Sequence, residues 1–213
     1  MYTRELGRCD CLVTRGNGKK SYSKTALLTP LNLVKAQIST KPNKELGRIV
    51  ELEPLYINHN DDIARQCVRM YMAEALFRTV RQPLPEEDLF NFIKNTIITL
   101  DKYQVSANIH LYFMISLTKY LGFEPNKTSD ETLFDLEEGV FTAFPPAHGH
   151  YINKELTNIL KCFLDIEAEN CAKITLNRTD RLRMLDAVEL YYKLHISDFH
   201  GIKSTETLKQ LFQ

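Results

Sequence analysis

The sequence predicts an α+β protein in which a small β module comes first and a mainly α-helical body, interrupted by a short β-hairpin, follows. Three observations predict it. Up to about residue 53, the short runs Cys11-Leu12-Val13 and Leu31 to Ile38 are separated by turn residues instead of helical spacing. Beyond Glu53-Pro54-Leu55-Tyr56, apolar residues recur at helical intervals and glycine becomes rare. Between Phe134-Asp135-Leu136 and Val140-Phe141-Thr142 stands Glu137-Glu138-Gly139, which reads as the turn of a hairpin. The change of texture puts the boundary near residues 54–60, with a β domain over 1–55 and a helical domain over 56–213.

Composition supports folded domains and no membrane segment. The chain has 213 residues, 44% of them hydrophobic, enough for a sizeable core. Its densest apolar run, Leu111 to Ile115, falls far short of the ~18 residues of a membrane helix. The first ten residues carry Arg4, Glu5, Arg8 and Asp10 without an apolar core, unlike a secretory signal. The five cysteines, Cys9, Cys11, Cys67, Cys162 and Cys171, are odd in number and form no paired framework, as free thiols in a reducing compartment do. A cytoplasmic location is the expectation.

A net charge of zero conceals a polarised chain. Through Arg48 there are ten lysines and arginines against three acids, a net +7, so the remainder carries −7. A basic segment joined to an acidic body fits a polyanion partner for the first and protein partners for the second; a lysine-rich solvated loop gives the same charge count. Gly16-Asn17-Gly18 is a strong turn signal, and the basic stretch Lys19-Lys20-Ser21-Tyr22-Ser23-Lys24 follows it. Cations around one aromatic ring suit phosphate contact with base stacking.

The helices follow in order. Asp61 or Asp62 caps one running to about Arg81, with Ile63, Cys67, Met70, Tyr71 and Leu76 as its apolar stripe. Pro85, Glu86, Glu87 and Asp88 open the next, which aligns Leu89, Ile93, Ile97 and Leu100. Ser106 to Leu121 is apolar almost all round and ends at Gly122, so it belongs at the centre of the body. After the hairpin, Pro145-Pro146 breaks the chain. A helix from Lys154 to Asp165 presents Leu156, Leu160 and Phe163; another, capped by Asn177 or Thr179, reaches His195 with Leu182, Leu185, Val188 and Tyr192. Ser204 caps a last helix carrying Leu208, Leu211 and Phe212.

Catalytic chemistry is not indicated. The scattered glycines form no phosphate-binding loop. Glu86-Glu87 and Glu137-Glu138 are adjacent acids at a helix start and a turn, and do not converge on one pocket. His148-Gly149-His150 has metal-like spacing and, with Cys162 and Cys171, is the one zinc set to weigh against a plain exposed loop. Cys9-Asp10-Cys11 lacks the two-residue spacer of a chelating pair. Apolar stripes mark core first, although a helical bundle can keep one apolar groove for a partner peptide, which periodicity does not locate.

Taken in order, several short motifs resemble one family along the whole chain: Tyr2-Thr3-Arg4-Glu5-Leu6-Gly7-Arg8, the Lys19, Lys20 and Lys24 loop, Thr29-Pro30-Leu31, and Leu52-Glu53-Pro54-Leu55-Tyr56. Asn108-Ile109-His110-Leu111, Tyr120-Leu121-Gly122-Phe123, Tyr191-Tyr192 with His195 and Phe199, and Ile202-Lys203-Ser204 continue the series. The sequence is similar to the bacterial RecO recombination mediators, in their Bacteroidetes-like form. The resemblance implies an N-terminal OB-fold β-barrel that binds single- and double-stranded DNA, and a helical C-terminal domain. It also implies strand annealing, binding to the acidic, apolar tail of single-stranded DNA-binding protein, and cooperation with RecR to load RecA in the RecF pathway, near the nucleoid. Relatives carry about a strand and a half before the Tyr-Thr-Arg-Glu segment, so the barrel is expected to be partial. Many carry a four-cysteine zinc motif after Leu-Gly-Phe; with only His148, His150, Cys162 and Cys171 in that region, neither a metal nor another cofactor is expected.

Within that frame the expected DNA contacts are Arg4, Arg8, Arg15, Lys19, Lys20 and Lys24 to phosphates and Tyr22 to a base. Two other readings stay open: a helical adaptor that binds the partner tail without DNA, and a hydrolase or metalloenzyme built on the histidine pair and clustered acids.

Overall fold

A computed structural model describes residues 1–13, 27–39, 46–57, 62–81, 84–102, 107–126 and 131–211. The architecture is mixed helix and sheet, and the chain divides into two units: Met1–Asp61 with Val80–Ile97, and Asp62–Thr79 with Ile98–Gln213. No described helix is long and apolar enough to cross a membrane.

The first unit is built on two small sheets. Strands β1 (Tyr2–Thr3) and β2 (Gly7–Arg8) form an antiparallel hairpin, pairing Tyr2 with Arg8 and Thr3 with Gly7. Its turn closes because the Thr3 hydroxyl oxygen accepts the Leu6 N–H at 3.0 Å, and Gly7 takes φ +65°, where a glycine meets no Cβ penalty. Strand β5 (Gly47–Tyr56) lies between β3 (Cys11–Leu12), parallel to it, and β4 (Leu33–Ser39), antiparallel. Pro54 sits inside β5 although it lacks an N–H. The ladder tolerates it through an irregularity: Leu33 faces Tyr56 but Val34 faces Pro54, leaving Leu55 as the extra residue of a bulge. The strand therefore runs through the segment at which the sequence texture changes. Among the described residues these strands do not close into a barrel.

Helix α2 (Glu87–Lys102) begins after Pro85 with Glu87 and Asp88 in its first turn, where acids offset the positive end of the helix dipole. Leu89, Ile93, Ile97 and Leu100 are buried, as the spacing predicts, and Phe92 is buried as well. The residues up to Ile97 belong to the first unit and the last turn to the second.

The second unit is organised round α3 (Ile109–Leu121), which is apolar on nearly every side and packs against α1 (Ile63–Thr79), α4 (Lys154–Leu164), a 3₁₀ turn (Ala168–Lys173) and α5 (Arg178–His195). Gly122 ends α3 in the left-handed conformation at φ 84°. Asn153 caps α4, and of the two candidates for α5 it is Asn177 that accepts the Asp180 N–H, at 2.8 Å. The expected hairpin forms from β6 (Leu133–Asp135) and β7 (Val140–Thr142), and β8 (Tyr151–Ile152) joins β6 on its other edge. A final helix, α6 (Thr205–Leu211), completes the unit.

Two side chains of α5 tie it to the chain around α3. The Tyr192 hydroxyl donates to the Met114 carbonyl at 2.7 Å, and that of Tyr191 to the Phe123 carbonyl at 2.6 Å. Phe123 stacks on His195 with ring centroids 5.1 Å apart, and His195 Nε2–H donates to the Leu136 carbonyl at 3.1 Å. The Gly122-Phe123, Tyr191-Tyr192 and His195 motifs are thus parts of one packed aromatic joint.

Helix α1 corrects the stripe expected of it. Ile63 and Met70 are 72% and 61% exposed, whereas Arg65 and Arg69 are buried beside Val68, Tyr71, Met72 and Ala75. The cause lies at the end of α2. Arg65 Nη1 donates to the Asp101 carbonyl at 2.7 Å, and Arg69 forms a buried ion pair with the Asp101 carboxylate. That pairing turns a basic side of α1 inward.

Candidate functional site

The expected DNA contacts begin at the β1–β2 hairpin. Arg4 lies at its tip, its side chain 58% exposed and 3.3 Å from Glu5. An exposed pair of this kind contributes little to stability. Arg8, paired with Tyr2 across the hairpin, is half-buried, and its Nη1 donates to the Val80 carbonyl at 3.0 Å. That bond fixes the guanidinium and makes Arg8 a structural residue as well as a cation near the surface. Arg15, Lys19, Lys20, Tyr22 and Lys24 lie outside the described residues, as does the Gly16-Asn17-Gly18 turn.

The three-stranded sheet adds charges of both signs. On the outer side, Lys35 of β4 stands opposite Glu53 of β5 with an ion pair of 3.6 Å, Gln37 faces Glu51, and exposed Arg48 faces Ser39 and, on the other edge, Leu12. Arg48 is a cation that the sequence motifs do not single out; its position between two strands is what brings it forward. Cys9 and Cys11 place their sulfurs 3.8 Å apart, and burial, with the neighbouring Cys9 thiol, pushes the Cys11 thiol up to about 11. A thiol held so firmly protonated at neutral pH is a poor nucleophile.

A second polar constellation lies on the hairpin of the other unit. His148 and His150 do not meet Cys162 or Cys171; among the described residues they gather with Glu137. Glu137 Oε1 is 2.5 Å from His150 Nδ1 and 3.5 Å from His148 Nδ1. The other nitrogen of His148, Nε2, lies 3.1 Å from Asp135 Oδ2. Asp135 is buried, and its Oδ1 accepts the N–H groups of Glu137 and Glu138 at 2.8 and 3.1 Å, which shapes the turn. The acids that read as turn residues are turn residues, and the turn carries Glu137 to the histidines.

An apolar cavity also lies in this unit, lined by Ile115, Phe134, Leu136, Leu160, Met184 and Tyr191 among others. Among the described residues its lining contains no cationic side chain, so a carboxylate from a partner would find no counter-charge there.

Comparison with known proteins agrees with the order of motifs. Residues 60–206 match the family model described as Recombination protein O C terminal. The DNA repair protein RecO of Bacteroides fragilis (strain YCH46) is 33% identical over 218 residues, covering 100% of this chain and 90% of that protein. The DNA repair protein RecO of Phocaeicola vulgatus is 31% identical over 217 residues, with the same coverage of 100% and 90%. That of Porphyromonas gingivalis (strain ATCC BAA-308 / W83) is 29% identical over 221 residues, again spanning 100% and 90%.

Proposed function

The chain belongs to the RecO family of DNA repair proteins, and from that premise we propose that it is a non-enzymatic recombination mediator that binds DNA and anneals complementary single strands. The observation that carries the DNA-binding part is the net +7 confined to the first 48 residues. The β domain, residues 1–55, is the DNA-binding module and is of OB type. Arg4, Arg8, Arg15, Lys19, Lys20 and Lys24 neutralise phosphates, and Tyr22 stacks on a base. Annealing then requires no active-site chemistry: a cationic surface lowers the repulsion between two polyanions and lets them meet.

The helical domain, residues 56–213, carries the protein contacts. In this reading it receives the tail of single-stranded DNA-binding protein and acts with RecR to load RecA in the cytoplasm, at the nucleoid. Its net −5 and its apolar body fit protein partners better than a polyanion.

Annealing of two complementary labelled strands, followed in real time, tests the proposal. The chain should accelerate duplex formation at low salt, and the Lys19→Ala, Lys20→Ala, Lys24→Ala triple variant should lose most of that acceleration. Equal rates with and without protein would reject annealing and leave a helical adaptor that binds the partner tail alone.

A further inference from the structure

We propose that Cys9 and Cys11 are a site of reversible oxidation, at which hydrogen peroxide converts the two thiols into an intrachain disulfide. Their sulfurs lie 3.8 Å apart, and both residues are half-buried, within reach of a small oxidant. Residues two apart in an extended chain project to the same face, so side-chain rotation brings the sulfurs toward the ~2.05 Å of a disulfide. Gly47 supplies the room. It stands opposite Cys11 on β5, and a Cβ there would lie 3.3 Å from Cys11 Sγ and 2.7 Å from Ile38 Cγ2. The bridge would span a joint. Cys9 belongs to the β1–β2 hairpin, since its N–H donates to the Met1 carbonyl at 2.9 Å and its carbonyl accepts the Met1 amino group at 2.8 Å. Cys11 belongs to the three-stranded sheet, and the Asp10 carbonyl between them accepts the Gly47 N–H at 3.0 Å.

The two thiols take different parts. Cys11 is held protonated by burial first and by the neighbouring Cys9 thiol second, so the attack on peroxide falls to Cys9. Its sulfur bonds to one peroxide oxygen, the O–O bond breaks, and the departing hydroxide takes up the proton that Cys9 has lost, leaving a sulfenic acid and one water. The sulfenic acid is neutral, which removes the Cys9 charge from the causes that hold the Cys11 proton. Cys11 then attacks the Cys9 sulfur: the S–S bond forms, the S–O bond breaks, and the oxygen leaves with the Cys11 proton as a second water. Contact between the sulfurs makes this step intramolecular and favours it over further oxidation of Cys9. Two thiols lose two electrons and one peroxide becomes two waters. A small thiol reverses the reaction by disulfide exchange, as befits a transient bridge in a reducing compartment.

The test treats the full chain, reduced and then freed of reductant, with a stoichiometric amount of hydrogen peroxide, followed by denaturation in an alkylating agent and digestion with trypsin. Cleavage after Arg8 and Arg15 puts both cysteines in a single peptide, residues 9–15. That peptide should appear unalkylated and two hydrogens lighter than the dithiol. Alkylatable thiols should fall from the five of the chain to three, with exposed Cys162 still among them, and dithiothreitol should restore all five. Cys11→Ser should stop at a sulfenic acid on Cys9 that dimedone traps, and Cys9→Ser should leave Cys11 as a thiol, both with the circular dichroism of the parent. A 9–15 peptide that stays a dithiol, or peroxide consumed as readily by Cys162, would overturn the proposal. Oxidation of Cys11 in the Cys9→Ser variant at the parent's rate would overturn it equally, since the pair would then play no part.

Discussion

Glu74 holds Ser204 by both of its polar groups: Oε2 accepts the Ser204 N–H at 2.9 Å and its hydroxyl at 2.8 Å. Oε1 accepts the Lys203 N–H at 2.8 Å and Arg78 Nε at 2.7 Å. The carboxylate thereby joins α1 to the segment that opens α6, and it explains the short Ile202-Lys203-Ser204 motif as a docking element. Burial raises this carboxyl, but the four donors outweigh that and hold it at about 2.

Glu74→Gln should cost about 1–3 kcal/mol in chemical denaturation at neutral pH, because charge-assisted bonds are lost. The pH dependence follows from a depressed folded pKa. The contribution is complete above the unfolded value of 4.5 and disappears as pH falls toward about 2. Parent and variant should therefore converge in stability across that window.

His110 is buried at 1% exposure and lies edge-on to Tyr71, with ring centroids 6.0 Å apart. Burial first, and the Arg181 cation second, lower its pKa to about 3, so it is neutral in the folded protein. Unfolding releases it to an ordinary value of 6.5. Its contribution is full above 6.5 and declines from there toward pH 3, by about 1.4 kcal/mol per pH unit at the steepest. Denaturation of His110→Gln across this range should show a flatter acid limb than the parent.

Asp101 and Arg69 form an ion pair in which both side chains are nearly inaccessible, 7% and 5% exposed. Asp101→Ala leaves a buried guanidinium without its counter-charge and should destabilise by about 3–5 kcal/mol. Replacing both partners, Arg69→Met with Asp101→Leu, should recover much of that loss. If the double variant is no better than the single, the pair is not the source of the effect.

Tyr191 and Tyr192 allow a comparison on one helix. Tyr192→Phe removes a buried hydroxyl donor from the Met114 carbonyl, and Tyr191→Phe removes the donor from that of Phe123. Each should cost about 1–3 kcal/mol, and the Tyr192 variant should be the worse, because its ring is 0% exposed. Thermal unfolding of the two variants checks the order.

Local patterns were legible where one segment supplies its own evidence. The all-round apolar α3 with Gly122 after it, the Glu137-Glu138-Gly139 turn and the Leu89-Ile93-Ile97 face need no distant partner to be recognised. The face of α1 was not legible, because what turns Arg65 and Arg69 inward is Asp101, more than thirty residues away. Strand β8 has two residues, too few to display alternation. Ser204 stands directly before the last helix, as expected, with its carbonyl accepting the Leu208 N–H at 3.0 Å, and its hydroxyl adds a bond to Glu74 that the sequence does not announce. In the candidate sites, the spacing of His148 and His150 was visible but Glu137 was not, since only the hairpin brings it to them. Arg8 reads as a free cation until the Val80 carbonyl is placed beside it.

The central claim is that the basic N-terminal segment binds single-stranded DNA by displacing counterions. Fluorescence anisotropy of a labelled single strand across a salt series measures it directly. Affinity should fall by about 0.7 log units per log unit of salt for each phosphate neutralised. The Lys19→Ala, Lys20→Ala, Lys24→Ala variant should bind more weakly, with a slope shallower by about 2 if each lysine meets one phosphate. A parent slope near zero, or a variant with the parent's affinity and slope, would contradict the claim.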